Sequence, residues 1–290
     1  MIPTQLKVGV RSSTAPLRDV LVKRPGPAFG RAFDDPAHGF LHPVDLGAAR
    51  REHDRLVETL ADLGVRVQEL GVEPDDDADL CYVFDPLLIG PEGAIPLRPG
   101  KPNRLGEPAI LERWLVDRDV PIVGRIEAPG TIEAGDTAWL RDDLFVIGRS
   151  LRTNDAGARQ LARLMGGDVR IVDVPYYKGP AELVHLMSVI SPVADDLAVV
   201  FMPLLPAGLL EWLMDLGIRL IPVPEEEEPT LGCNVLAVRP GVVIVAEGNP
   251  VARRGLDAAG VEVHAIPLRE VGENGNGGVT CLVRPLRREA

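Results

Sequence analysis

The chain is poor in the residues that usually announce a cofactor. It has three cysteines, Cys81, Cys233 and Cys281, far apart and without a C-x-x-C spacing. An odd, scattered set argues against a disulfide framework and against a thiolate zinc site. There is no H-E-x-x-H stretch, and the five histidines do not cluster, so neither a metal nor an organic cofactor is expected. No G-x-G-x-x-G joins a strand to a helix, which removes the dinucleotide fingerprint, and the glycine-rich tail lacks the G-K-[ST] of a phosphate loop. No run approaches the ~18 consecutive apolar residues that span a bilayer, and the opening "MIPTQLKVGV" has no apolar signal core. A cytoplasmic protein without membrane contact is the expectation. Positive charge is also short: 31 Lys and Arg against 43 Asp and Glu leave a net charge of -12. Nucleic acid and anionic lipid are therefore repelled, while a small cation is attracted.

What is present is repetition. With 290 residues, 46% of them hydrophobic, the chain can bury one large core or two ordinary ones. An amphipathic helix, a turn and a short β-branched strand recur five times, with joints at "LADLGVRVQEL" (60–70), "LVDRDVPIVGRI" (115–126), "LMGGDVRIVDV" (164–174), "LMDLGIRLIPV" (213–223) and "LDAAGVEVHAI" (256–266). The helices before them are expected at about 46–63, 107–117, 154–165, 206–215 and 250–259, with Asn154 and Pro206 as starts. In the first, Leu56, Val57, Leu60 and Leu63 form one apolar stripe. Further strands are expected at "DVLVKRP", "LCYVF", "GAIPLRP", "LFVIGRS", "MSVISPV", "LAVVFMP", "NVLAV", "VVIVA" and "TCLVRPL". An open α/β sheet is the common arrangement of such elements, but five like units suggest a closed ring: a five-bladed α/β propeller forming a single domain over residues 1–290, its strand ends facing a central channel.

Chemistry-bearing residues fall at similar offsets from the joints. Asp79 and Asp85 follow the first, Glu133 the second, His185 the third and Cys281 the fifth. In a cyclic pseudo-repeat such positions converge on the axis. Taken alone, Cys281 could be a core cysteine, but "GENGNGGVTC" puts it at the lip of a tight loop. His185, in "AELVHLMSVI", is alone more often a structural histidine and gains weight with a thiol partner. Glu133 and Asp136, in "EAPGTIEAGD", are expected on a short strand bent sharply at both ends. Cys81 and Cys233 lie in apolar runs as core residues. His53 is expected on an exposed helix face, His264 in a repeat strand, and His38 and His42 in the loop before the first helix. "EEEE" (225–228) is expected to be a solvated run. Arg104 and Arg152 are loop arginines whose planar forks suit a carboxylate.

Together, "RPGKPNRLGEP", "EAPGTIEAGD", "RTNDAGARQL", "HLMSVIS", "NVLAV" and "GGVTC", in this order, resemble the dimethylarginine dimethylaminohydrolases of the guanidino-modifying (pentein) superfamily. The resemblance runs from about residue 60 to the end. It implies a five-bladed propeller in which Cys281 is the nucleophile and His185 the general acid and base. Glu133 would steady the guanidinium and the histidine, Asp79 and Asp85 would bind substrate, and Arg104 and Arg152 would hold the substrate carboxylate. One departure is Phe84, where the family carries an acidic residue just before the second aspartate. The loop at 26–43 lies where the family has a mobile lid. Arginine deiminases carry an aspartate two residues after the histidine, where Met187 stands here, and agmatine deiminases end on N-I-H-C. Both are disfavoured. The implied activity is hydrolysis of arginine, or an Nω-methylated arginine, to citrulline and ammonia or an alkylamine through a thiouronium on the cysteine. The alternative is an amidinotransferase that passes the amidino group to an amine. The implied partner is a small cationic guanidino compound, with a homodimer left open.

Overall fold

Five helices form where the apolar stripes require them: Leu46–Asp62, Glu107–Val116, Asp155–Met165, Ala207–Asp215 and Pro250–Ala258. The computed structural model describes residues 6–72, 76–177, 179 and 184–289, so the start of "MIPTQLKVGV" and residues 181–183 of "AELVHLMSVI" lie outside the described residues. Caps fix the helix starts. Asp45 accepts from the Ala48 N–H, and Asn154 accepts from the Gly157 N–H at 2.8 Å and from Thr131 N–H at 3.0 Å. Pro206 immediately precedes the fourth helix. In the first helix Leu56 and Leu60 are fully buried, each contributing about 2 kcal/mol of transfer free energy. His53 shares that face, three residues before Leu56, and is 1% exposed rather than on the solvent side. Burial pushes its imidazole down to about 4, so it stays neutral, and neither ring nitrogen finds a partner among the described residues.

Each helix returns the chain to one of five small sheets. Four of them share a plan: an inner strand pairs antiparallel with a middle strand, which pairs parallel with the strand after the helix. Thr137–Arg141, Leu144–Arg149 and Asp168–Asp173 form one such blade. Ile190–Ala194, Leu197–Val200 and Arg219–Pro222 form the next, and Val235–Arg239, Val242–Ala246 and Glu262–Ile266 the one after. The blade of Leu87–Ile89 and Ala94–Pro96 has only its antiparallel pair. Its joint at 115–126 forms no third strand; a single bridge, Ala94 to Ile122, stands there.

The remaining blade closes the ring. Leu17–Val22 pairs parallel with Arg66–Glu69 and antiparallel with Arg284–Arg288, so the last strand of the chain is the inner strand of the first blade. Inner strands pack side by side around the axis: Arg284–Arg288 against Leu87–Ile89, Thr137–Arg141 against Ile190–Ala194, and that strand against Val235–Arg239. This is the five-bladed propeller expected from the repeats.

Three local expectations are corrected. "LCYVF" is a 3₁₀ turn at Asp79–Cys81 and a loop, not a strand, because its polar neighbours are drawn to the axis. Glu133 and Asp136 lie at a 3₁₀ turn, Ala134–Asp136, ahead of the strand rather than on it. Within "EEEE", Glu227 is buried and accepts from the Val251 and Ala252 N–H groups at 2.6 and 2.9 Å. Those are the orphan donors of the last helix, which carboxylates satisfy well. Among the described residues no helix is long and apolar enough to cross a membrane.

Candidate active site

Every blade delivers one polar side chain just before its inner strand: Asp85 before Leu87, Glu133 before Thr137, His185 before Ile190, Asn234 before Val235, and Cys281 before Arg284. The expected convergence therefore extends to all five blades. Asn234 was missed, although the vacant fourth place in the periodic series pointed to it. Its Oδ1 accepts from both the N–H and the hydroxyl of Thr280 at 3.0 Å, which fixes the residue preceding Cys281.

The glycines of "GENGNGGVTC" serve close approach. A Cβ on Gly278 would stand 2.1 Å from the Asn234 amide carbon. Asn276 takes the left-handed turn, at φ 55°. Asn274 reaches across to the early loop: its Oδ1 accepts from Leu41 and His42 N–H at 3.0 Å, and its Nδ2 donates to the His42 carbonyl. The segment at 26–43 is thereby tied to the cysteine loop.

Glu133 is fully buried and saturated with donors. His185 Nε2 stands 2.9 Å from its Oε2; its Oε1 accepts from the Gly100 N–H at 3.0 Å, the Lys101 N–H at 3.3 Å and Arg152 Nη1 at 3.3 Å. Burial favours its neutral form, but the His185 contact and the charges of Arg104 and Arg152 hold it well below the usual carboxylate range. For His185, burial works against the cation and is overcome by Asp136, the Glu133 hydrogen bond and Asp85, raising the imidazole to about 9. Glu133 therefore accepts a hydrogen bond from a protonated Nε2. Asp136 sits behind the pair: its Oδ1 accepts from the Leu186 N–H at 2.9 Å and its Oδ2 from the Ser150 and Thr153 hydroxyls at 2.6 Å. Gly135 must lack a side chain here, since a Cβ would stand 2.6 Å from His185 Nδ1.

A second charged group lies beside the first. Asp79 Oδ2 accepts from Lys101 Nζ at 2.8 Å and Asn103 Nδ2 at 2.9 Å, with His38 Nδ1 at 3.0 Å. Against the opposing effect of burial, His38, Arg104 and Lys101 lower Asp79 to about 2. Asp85 accepts from Arg104 Nη1 at 2.7 Å and from the Gly135 N–H at 3.2 Å. Lys101 and His38 had not been singled out as site residues. Lys101 stands three residues before Arg104, inside "RPGKPNRLGEP", and His38 is brought in by the early loop. The two arginines expected to act alike do not sit alike. Arg104 is buried, and its guanidinium is forked on Glu107 at 2.7 and 2.8 Å, bonded to Asp85 and donating to the Tyr82 carbonyl at 3.0 Å. Arg152 is partly exposed, with Glu133 as its carboxylate partner at 3.3 Å.

Two cavities meet at Cys281 and His185, both of which line each of them. One, of about 290 Å³, is charged, with Asp79, Asp85, Lys101, Arg104, Arg152 and His38 in its wall. The other, of about 270 Å³, has Leu41, Phe84, Met187, Leu231 and Cys233 in its wall together with Ser188, Asn234, Asn276, Thr280 and the acidic Glu228. Burial, and then Asp85, push the Cys281 thiol up to about 12. At neutral pH it is a thiol, sharing both cavity walls with the imidazole of His185. A bound cation would favour its ionisation.

Residues 204–288 match the family model described as arginine deiminase. The N(G),N(G)-dimethylarginine dimethylaminohydrolase of Streptomyces coelicolor is 31% identical over 274 residues, covering 94% of this chain and 98% of that one. The chain belongs to the dimethylarginine dimethylaminohydrolase family. The Pseudomonas aeruginosa member is 33% identical over 256 residues, covering 83% of this chain and 90% of its own. A cysteine-to-serine variant of that enzyme, solved in complex with citrulline, superposes with a TM-score of 0.78 at 27% identity, covering 93% of this chain and 99% of the other. Family membership accounts for the five-bladed architecture.

Proposed function

We propose that this chain is a cysteine-dependent hydrolase that releases ammonia or an alkylamine from arginine or an Nω-substituted arginine, leaving citrulline. The observation that carries this reading is the meeting of Cys281 and His185 in one cavity wall with Asp79 and Asp85, the imidazole being hydrogen-bonded to Glu133. A neutral guanidine is a poor electrophile, so the site must hold the cation, and the carboxylates favour that form. Thiolate sulfur adds to the guanidinium carbon. As the carbon–nitrogen bond breaks, the departing amine takes a proton from His185, and a thiouronium remains on Cys281. Water then gives a proton to His185 and adds to the same carbon, the carbon–sulfur bond breaks, the new hydroxyl releases its proton to solvent, and the ureido product leaves with the thiolate restored. The scheme draws on these side chains and water alone, within one ring of blades.

The charged cavity suits an α-amino acid end, and the apolar cavity suits a substituted nitrogen. In the latter, Phe84 supplies a ring face where the family resemblance implies an acidic residue, and Glu228 is the acidic residue in its wall. Mass spectrometry of products from arginine, methylated arginines and agmatine, with and without glycine as acceptor, tests the assignment. Ureido product independent of acceptor is expected. Acceptor-dependent ornithine would instead make the enzyme an amidinotransferase, and no product from any guanidine would sink both.

The different settings of the two arginines give a separable outcome. Arg104→Met strips the partner from buried Glu107 and Asp85 and is expected to cost about 3–5 kcal/mol in urea unfolding. Arg152→Met leaves Glu133 its histidine and two N–H donors; it is expected to change stability by under about 1 kcal/mol while raising KM roughly tenfold or more. Equal stability losses would contradict the assignment of Arg152 as the substrate-carboxylate clamp. For the thiol, absorbance titration with and without an unreactive arginine analogue is expected to show a midpoint lowered by at least about one unit when the cation is bound. Coincident curves would remove substrate-assisted ionisation from the mechanism.

A further inference from the structure

Farther along the same axis lies a second, smaller chamber, of about 60 Å³. All five inner strands contribute to it, and Phe84, Met187 and Thr280 separate it from the cavity at Cys281. Its two charged residues, Arg284 and Arg288, are 3% and 8% exposed. Neither has a carboxylate within ion-pair distance among the described residues. Arg284 stacks at 3.8 Å on the Phe84 ring and donates through Nη1 to the Phe84 and Leu87 carbonyls, while its buried Nε has no partner among the described residues. Arg288 donates to the Ala15 and Ala237 carbonyls. Asp85 acts on Arg284 only from a distance, since its own oxygens are taken by Arg104 and the Gly135 N–H. Ser13, also in the wall, accepts from the Trp139 N–H, which leaves its hydroxyl hydrogen to donate.

Two like charges buried without a counter-charge are costly, and carbonyl dipoles compensate them only in part. Burial depresses both guanidinium groups to about 9, which still leaves them charged at neutral pH. We propose that this chamber binds a small monovalent inorganic anion, of the chloride class, between Arg284 and Arg288. The chamber volume admits an ion of that size with a water and favours it over a bulkier anion. The anion would sit one side-chain layer from the active site, separated from it by the Phe84 ring.

The test is thermal unfolding of the full chain in sodium chloride against sodium gluconate at matched ionic strength. Chloride is expected to raise Tm saturably, by about 2–4 °C at tenfold excess over half-saturation, with bromide and nitrate acting alike and gluconate not. In Arg288→Met the chloride-specific rise should vanish. Identical Tm values in the two salts, or an undiminished chloride response in Arg288→Met, would overturn the proposal. Should that variant fail to fold, crystals of the unaltered chain soaked in sodium bromide decide the matter. An anomalous peak within hydrogen-bond reach of both guanidinium groups supports the site, and an empty chamber refutes it.

Discussion

Cys281→Ser is expected to lower kcat by at least about ten-thousand-fold while leaving the affinity for arginine or citrulline within about threefold. The loss should be large because the hydroxyl is far harder to ionise than the thiol, and no free base stands ready to help it. His185 is held protonated by Glu133 and Asp136, with its pKa raised to about 9. On the proposed route the sulfur ionises under the influence of the bound cation, and an alcohol would not follow. Binding should survive because Asp79, Asp85, Lys101 and Arg152 lie in the wall of the charged cavity and are untouched. Product formation in single-turnover assays and ligand affinity by calorimetry separate the two effects. Residual turnover within a hundredfold of the parent would exclude a covalent route through this sulfur.

The parts of this site that could be read in the sequence are those set by local period. Helices at 46–62, 107–116, 155–165, 207–215 and 250–258 follow from apolar spacing and caps. Their regular recurrence placed Asp85, Glu133, His185 and Cys281 at equivalent offsets, which a ring converts into proximity. What could not be read depends on pairings between blades. The offset of Asn234 in the periodic series is visible in the sequence, but its pairing with Thr280, 46 positions later, is not. Glu227 looked solvated because its helix partner, 24 residues on, is invisible to a composition argument. The burial of His53 follows from its place three residues before Leu56, on the buried face of the helix, one turn ahead of the apolar stripe. Lys101 and His38 entered through Asp79, whose charge draws both. Arg104 and Arg152 looked interchangeable because both are loop arginines among turn residues; Glu107, three positions after Arg104, distinguishes them.

Glu133→Gln is expected to reduce kcat by about a hundred- to a thousandfold and to move the basic limb of the kcat/KM profile to lower pH by at least about one unit. The glutamine keeps the shape and accepts a hydrogen bond but loses the charge. Burial, which favours neutral imidazole, then has only Asp136 and Asp85 against it. Less of His185 would carry the proton that the departing amine requires. The same pair gives stability a definite pH dependence. His185 is raised above its ordinary 6.5, so its contribution is full below that value and is lost as pH climbs through about 9. Glu133 is lowered, so its contribution is present above the ordinary 4.5 and is lost as pH falls. The stability difference between parent and Glu133→Gln should therefore be greatest between about pH 5 and 6.5 and shrink toward pH 9, measured as urea midpoints across that range. A purely structural glutamate would lower the midpoint equally at every pH and leave the basic limb in place. A basic limb that stays put would mean that Glu133 does not set the charge on His185, and the proton for the leaving amine would have to come from elsewhere.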